Sequence, residues 1–150
     1  MKKLSMDVFF SKDGPLSKVI SGYQIRPSQV AMSNLVDETI LNQNSLVVEA
    51  GTGIGKTFAY LAPAMMKGET IIISTATKNL QDQLYNKDIP KIREALNIPI
   101  KVDLLKGRSN YVCQLKMEDS LINGQFLNKE DAVYLEKIKL FADHSKTGEI

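Results

Sequence analysis

Three glycines and a Lys–Thr pair fall within one short stretch of the chain, "AGTGIGKT". Glycines let successive backbone amides converge on an anion, and the positive end of a following helix attracts the same charge. A lysine after the last glycine would contact the β- and γ-phosphates of a nucleotide, and the threonine hydroxyl would ligate the bridging Mg²⁺. The stretch therefore predicts a loop that binds ATP with Mg²⁺, with Lys56 as its catalytic residue. The loop residues are Ala50, Gly51, Thr52, Gly53, Ile54, Gly55, Lys56 and Thr57.

The match is to a relaxed form of this loop. The strict motif begins with glycine five residues before Gly55, where this chain has Ala50. A glycine-rich turn without a ligand is the alternative. "SLVVEA" before the loop is typical of a buried strand and "KTFAYLAPAMM" after it of a helix that Pro63 could end or kink, and this context favours the phosphate-binding loop.

The remaining elements alternate in type. "RPSQVAMSNLVDETILNQN" has apolar residues at helical spacing, and the β-branched run "TIIIST" is typical of a second buried strand. "KNLQDQLYNKDI" predicts a helix that stops before Pro90, "IKVDLLKG" a third strand, and "NKEDAVYLEKIKLFADHSKTG" a last helix ending near Gly148. Strands that alternate with helices indicate an α/β fold with a parallel sheet and right-handed crossovers.

Composition bounds the class of protein. The chain has 150 residues and one cysteine, so it predicts one core and no internal disulfide, and its formal net charge of +2 neither demands nor forbids a polyanionic partner. Asp7 interrupts the apolar start, which excludes a signal peptide, and no run approaches the roughly 18 apolar residues of a membrane helix. A cytoplasmic location without a membrane partner is expected.

Four segments occur in order along the chain: "YQIRPSQ", "EAGTGIGKT", "ISTATKNLQDQL" and "LLKGRSNYVC". Together they resemble one family. The resemblance runs from about Phe10 to at least Cys113, and it is to the first motor domain of the XPD/DinG-type iron-sulfur helicases of superfamily 2, most closely to the bacterial DinG and YoaA branch. It implies a P-loop NTPase with a RecA-like parallel sheet flanked by helices, incomplete in this chain. It also implies an ATP-dependent DNA helicase that moves 5′ to 3′ in DNA repair, with single-stranded or forked DNA and replication or repair proteins as partners.

The resemblance assigns further site residues. Gln29 matches the glutamine that recognises adenine, and its amide has the donor and acceptor that an adenine edge needs; an exposed helix residue is the alternative. Arg26 in the same motif is either structural or a nucleotide contact. Thr75, Thr77 and Asn79 match residues that contact the backbone of single-stranded DNA, although Thr77 could also cap the helix that begins at the next residue, and both roles are compatible.

Cys113 taken alone would be an inert, partly buried thiol. In the family it matches the first of four thiolates that hold a 4Fe-4S cluster, which this chain cannot complete, so the cluster is expected in the full-length protein only. Lys106 and Arg108 would either face DNA or lie on a solvated surface, and the solvated surface is favoured. His144 has no partner at a spacing that suits catalysis or metal binding.

The acidic D-E-A-H motif of this family is absent from the chain. We therefore expect the first part of a longer helicase, with residues 1–105 in motor domain 1 and 106–150 at the start of the iron-sulfur insertion. Alone it would be marginally stable or associate, and it would neither hydrolyse ATP efficiently nor unwind DNA. The alternative is a stand-alone P-loop module or regulator that binds nucleotide without hydrolysis, with a small-molecule kinase as a weaker third possibility.

Overall fold

Helices account for the regular secondary structure of the computed structural model, which describes residues 4–124 and 129–150. A π-helical segment, Leu84–Asp88, joins α5 to α6, and a short 3₁₀ turn, Arg108–Asn110, precedes α7. The helices are α1 (Met6–Phe9), α2 (Pro15–Val19), α3 (Pro27–Leu41), α4 (Lys56–Met66), α5 (Lys78–Gln83), α6 (Ile89–Leu96), α7 (Gln114–Asn123) and α8 (Lys129–His144).

Residues up to Leu104 form one compact unit around an apolar core. Phe10, Leu61 and Ile92 are fully buried, although they come from the end of α1, from α4 and from α6. Phe9 and Phe10 meet edge to face, with ring centroids 5.0 Å apart. Burial of such large apolar side chains is the main stabilising contribution to a unit of this size.

Helices α3 and α4 pack against each other along their length. Gln29 and Ser33 of α3 are buried, and an ion pair of 2.7 Å joins Asp37 of α3 to Lys67, the C-cap residue of α4. A cation is favourable at that position because the C-terminal end of a helix carries partial negative charge. Pro63 does not end α4, which runs on to Met66.

The three predicted strands are not formed within the described residues. Segments 44–51, 70–75 and 98–107 have no regular secondary structure, and Val47 and Ile72 are 97% and 91% exposed. A strand exists only when a neighbour accepts and donates its backbone hydrogen bonds, and an apolar, β-branched sequence supplies propensity without supplying that neighbour. The parallel sheet expected from the sequence is therefore absent from this part of the chain as the structure describes it.

The predicted end of a helix before Pro90 is wrong. The chain passes from α5 through the π-helical segment into α6, where Pro90 lies in the first turn. The Ile89 amide donates to the Leu84 carbonyl, five residues earlier, so the backbone is wider here than in an α-helix. Proline is tolerated in a first turn, because its missing N–H is one that would have no α-helical partner there.

Residues from Leu105 onward form a second compact unit, in which α7 and α8 pack together. Tyr111 and Glu149 form an antiparallel bridge, and the Val112 amide donates to the Gly148 carbonyl at 2.8 Å. Helix α8 ends at His144 rather than near Gly148, because the chain turns back to reach this bridge. The sequence analysis did not identify α7, of which only Met117 is buried.

Among the helices that the structure describes, none is long and apolar enough to cross a lipid bilayer.

Candidate nucleotide-binding site

The loop before α4 owes its shape to two glycines. Gly53 and Gly55 have φ angles of 81° and 84°, in the left-handed region that other L-residues rarely adopt. A Cβ atom added at Gly53 would meet nothing within 4 Å, whereas one at Gly55 would overlap the side chain of Gln29. The first glycine is therefore required by backbone conformation alone, and the second also by close packing.

The start of α4 is open for an anion. Gly55 is its N-cap residue and contributes no side-chain cap, so the amides of the first turn have no capping acceptor. Such amides, aligned with the helix dipole, attract phosphate. The sequence predicted an anion site here, between Gly51 and Thr57.

Lys56 lies folded over the loop. Its Nζ donates hydrogen bonds to the carbonyls of Ala50 and Gly51, at 2.8 and 2.7 Å. An ammonium group has three donors, so these two bonds hold the charge at the mouth of the loop.

Thr57 and Tyr60 lie one turn apart on α4, and both are half-buried. Burial raises the pKa of Tyr60, the neighbouring Thr57 hydroxyl lowers it, and the carboxylate of Asp88 raises it again. The predicted magnesium ligand therefore has a specific neighbour that the sequence analysis missed, although the i, i+3 spacing of the two residues could have suggested it.

Gln29 is brought directly to the loop. It is 4% exposed, and its Nε2 donates to the Gly55 carbonyl at 2.9 Å. The interpretation of Gln29 as an exposed helix residue is therefore wrong. The Arg26 side chain reaches the same place, since its Nη1 lies 3.4 Å from the position of an added Gly55 Cβ.

Tyr23 fixes the segment that leads into α3. Its hydroxyl donates to the Phe10 carbonyl at 2.8 Å. Burial raises the pKa of Tyr23, and the nearby Arg26 charge lowers it. The sequence analysis gave this tyrosine no role, because its partner is thirteen residues away along the chain.

The three residues expected at DNA lie around the start of α5. Thr77 is its N-cap residue and accepts a hydrogen bond from the Leu80 amide at 3.3 Å, which confirms the capping role. The Thr75 hydroxyl donates to the Thr77 carbonyl at 3.3 Å, and Asn79 is exposed. Within the described residues, these hydrogen bonds stay inside the junction and do not reach the phosphate loop.

Cys113 is exposed and immediately precedes α7, so its expected partial burial is wrong. In the described parts of the chain, no group of three or more His, Cys, Asp and Glu side chains is placed to hold a metal ion.

Lys106 is not on a solvated surface as expected, because it forms an ion pair with Glu149 and its side chain is 10% exposed. Arg108 is exposed, and the ring of His144 is hydrogen-bonded to the Leu140 carbonyl.

Comparison with known proteins identifies the family of the chain. The model of the DEAD/DEAH box helicase family matches residues 31–126. The chain is 47% identical over 140 residues to the ATP-dependent DNA helicase YoaA of Haemophilus influenzae and 49% identical over 115 residues to YoaA of Escherichia coli, covering 93% and 77% of this chain. It is 34% identical over 144 residues, 90% of this chain, to the 3'-5' exonuclease DinG of Bacillus subtilis.

The chain spans 22% and 18% of the lengths of the two YoaA proteins and 15% of that DinG. No solved structure matches it. The family match covers more than half of the chain and implies a P-loop NTPase fold; it includes the loop, whereas Gln29 and Arg26 lie just before the matched residues. The chain belongs to the DEAD/DEAH box helicase family.

Proposed function

We propose that this chain is the ATP-binding N-terminal portion of an ATP-dependent DNA helicase of the DinG and YoaA type. The observation that carries the proposal is the hydrogen bond from Gln29 to Gly55. It joins the segment expected at adenine to the loop expected at phosphate, although the two residues are 26 positions apart. A glycine-rich turn without a ligand would need no such partner.

The residues fit Mg²⁺-ATP. The first turn of α4 is uncapped, and the Lys56 ammonium rests on carbonyls that phosphate oxygens can replace. Bound Mg²⁺-ATP supplies the phosphoanhydride bond and a cation that neutralises its charge. Lys56 would hold the β- and γ-phosphates, the Thr57 hydroxyl would ligate Mg²⁺, and Gln29 would orient the adenine beside the loop. The backbone from Ala50 to Gly55 would line the phosphate site.

The exposed apolar segments support a sheet that is completed by other residues of the protein. Val47 and Ile72 lie in runs with high strand propensity and are almost fully exposed, which is costly in water. We propose that segments 44–51 and 70–75 are strands of a RecA-like parallel sheet in the complete motor domain.

The finer assignments follow from the family resemblance. Residues 1–105 would be the N-terminal part of motor domain 1 and 106–150 the start of the iron-sulfur insertion, with Cys113 as the first of four cluster ligands in the full-length protein. Thr75, Thr77 and Asn79 would contact single-stranded or forked DNA. The protein would be cytoplasmic and act in DNA repair with replication or repair proteins, moving 5′ to 3′, and the 150 residues alone would be inactive.

Nucleotide titration of the full-length protein tests the phosphate site. Lys56→Ala should weaken binding of a fluorescent ATP analogue by roughly 10- to 150-fold, because a charge-assisted hydrogen bond contributes roughly 1.5–3 kcal/mol. Lys18→Ala is a matched control, since Lys18 is exposed on α2. Equal affinities of Lys56→Ala and wild type would refute the role of Lys56.

A second measurement separates a motor from a module that only binds ATP. Single-stranded DNA should stimulate ATP hydrolysis by the full-length protein and not by its Lys56→Ala variant. Binding of ATP without DNA-stimulated hydrolysis would favour the stand-alone module. The gene sequence after Ile150 gives an independent test, because a helicase of the proposed iron-sulfur type would have a D-E-A-H motif and three further cysteines there.

A further inference from the structure

The Arg26 side chain lies at the end of the phosphate loop. Its Nη1 is 3.4 Å from the position that a Cβ atom on Gly55 would occupy, and the residue is exposed. The backbone that carries it is fixed, because the Arg26 carbonyl accepts hydrogen bonds from the Gln29 and Val30 amides at 2.9 and 3.2 Å. Gln29, in the first turn of α3, is itself hydrogen-bonded to Gly55. Arg26 therefore extends from a fixed point of α3 to the N-cap residue of α4.

This place is electrostatically unfavourable for a cation. Arg26 is the N-cap residue of α3, and Gly55 is the N-cap residue of α4. The N-terminal end of a helix carries partial positive charge, so a guanidinium near two such ends is repelled by both. Within residues 4–124 and 129–150, no carboxylate forms an ion pair with Arg26. An anion bound at the loop would balance this charge.

A phosphate suits the Arg26 side chain better than an adenine edge does. A guanidinium has five N–H donors and no acceptor, and it often binds phosphate oxygens in pairs. An adenine edge offers both a donor and an acceptor, which matches the amide of Gln29 instead. The uncapped amides of α4 follow Gly55 directly and attract the same anion.

We propose that Arg26 is a second cationic contact of the nucleotide and binds its α-phosphate. Gln29, which would orient the adenine, lies at Gly55, so this end of the loop faces the nucleoside. Lys56 Nζ lies instead at the carbonyls that begin the loop. The α-phosphate is the one attached to the nucleoside, and it is therefore the one within reach of Arg26. This inference rests on the proposed function of the loop and of Gln29.

Nucleotide titration of the full-length protein tests this contact. Because ATP and ADP both have an α-phosphate, Arg26→Ala should weaken the binding of both by the same factor. We expect roughly tenfold, the lower end of the range for a hydrogen bond to a charged group, because Arg26 is exposed. Lys56→Ala should weaken ATP binding more than ADP binding, since ADP has no γ-phosphate. No loss in Arg26→Ala, or a loss for ATP alone, would overturn the proposal.

Base selectivity separates a phosphate contact from a base contact. GTP has the same phosphates as ATP and a different base. The ratio of ATP affinity to GTP affinity should therefore stay at the wild-type value in Arg26→Ala and change in Gln29→Ala. A changed ratio in Arg26→Ala would place this residue at the base and overturn the proposal. Weaker binding of single-stranded DNA with unchanged nucleotide affinity would also overturn it.

Arg93→Ala is the matched control. Arg93 is also an exposed arginine, but it lies in the last turn of α6. Its removal deletes the same side chain and the same charge, and the affinities for ATP and ADP should be those of wild type. The same loss in Arg93→Ala and Arg26→Ala would indicate an effect of net charge alone and would contradict a specific contact.

Urea unfolding without nucleotide separates binding from folding. Because Arg26 is repelled by nearby helix ends, the unfolding free energy of Arg26→Ala should equal or exceed that of wild type. A lower unfolding free energy together with a lower affinity would indicate a structural role and overturn the proposal. Arg26→Lys keeps the charge without the paired donors, so its affinities should lie between those of wild type and Arg26→Ala. If Arg26→Ala does not fold, wild-type affinities in Arg26→Lys would overturn the proposal.

Lys56→Ala distinguishes failure of this inference from failure of the proposed function. If Lys56→Ala loses ATP affinity while Arg26→Ala binds as wild type does, only the role of Arg26 fails. If both variants bind ATP as wild type does, the loop is not the phosphate site and both fail.

Discussion

The substitution Gly55→Ala should be more harmful than the same change two residues earlier. Gly55 has a φ angle of 84°, and an alanine held in the left-handed region costs roughly 1–2 kcal/mol. The added Cβ would also overlap the Gln29 amide nitrogen and lie 2.9 Å from its Cδ. Gln29 would have to leave its hydrogen bond with Gly55, and a buried polar group without a partner costs roughly 1–3 kcal/mol. The sum is a loss of about 2–5 kcal/mol.

Gly53→Ala is the matched control. Gly53 has nearly the same φ, 81°, and an added Cβ would meet nothing within 4 Å. Only the conformational cost of roughly 1–2 kcal/mol applies there. The difference between the two variants, roughly 1–3 kcal/mol, therefore measures the contact with Gln29.

Urea unfolding of the full-length protein without nucleotide is the assay, with the motor-domain transition compared between variants. Nucleotide is left out because a side chain at Gly53 would also face the phosphates. Equal losses of unfolding free energy in Gly53→Ala and Gly55→Ala would refute the packing argument. In a Gln29→Ala background, the cost of Gly55→Ala should fall to that of Gly53→Ala, and an unchanged cost would contradict the role of Gln29.

Two further outcomes are expected. Thr77→Ala should destabilise α5 by roughly 0.5–2 kcal/mol through loss of its N-cap, while Thr77→Ser should be close to wild type in thermal unfolding. If Thr77 also contacts a DNA phosphate, the slope of log affinity against log salt should fall by about 0.7 in Thr77→Ala, and an unchanged slope would leave it a cap only. Asp37→Asn removes the charge that pairs with Lys67 across α3 and α4. Its unfolding free energy should fall below that of wild type at low salt, with a smaller deficit at high salt, and a deficit that does not change with salt would contradict an electrostatic origin.

The sequence predicted those elements whose own residues determine where they begin and which residues face the core. The apolar spacing and Pro27 predicted α3, and the glycines with Lys56 predicted the loop and the start of α4. The contact of Gln29 with Gly55 could not be obtained from spacing, because it depends on how α3 and α4 pack. The resemblance to a family placed Gln29 at the nucleotide, and the geometry adds that it touches the loop itself.

The strands show the limit of an apolar pattern. Val47 and Ile72 belong to runs that ought to be buried, but a pattern does not say which residues cover them.

Pro90 shows a second limit of prediction from sequence. It suggested the end of a helix, whereas the π-helical segment before it shifts the backbone hydrogen bonds and allows a new helix to begin.

If Lys56 contacts phosphate as proposed, nucleotide binding would exchange its present hydrogen bonds for new ones. Its ammonium already has two good acceptors in the Ala50 and Gly51 carbonyls, so an incoming anion gains only the difference between its own oxygens and those carbonyls. A small anion with few oxygens would gain little, whereas a triphosphate would also accept hydrogen bonds from the uncapped amides of α4, which would offset the bonds that Lys56 loses. The existing hydrogen bonds of Lys56 should therefore lower the affinity of the loop for inorganic phosphate more than its affinity for a nucleoside triphosphate.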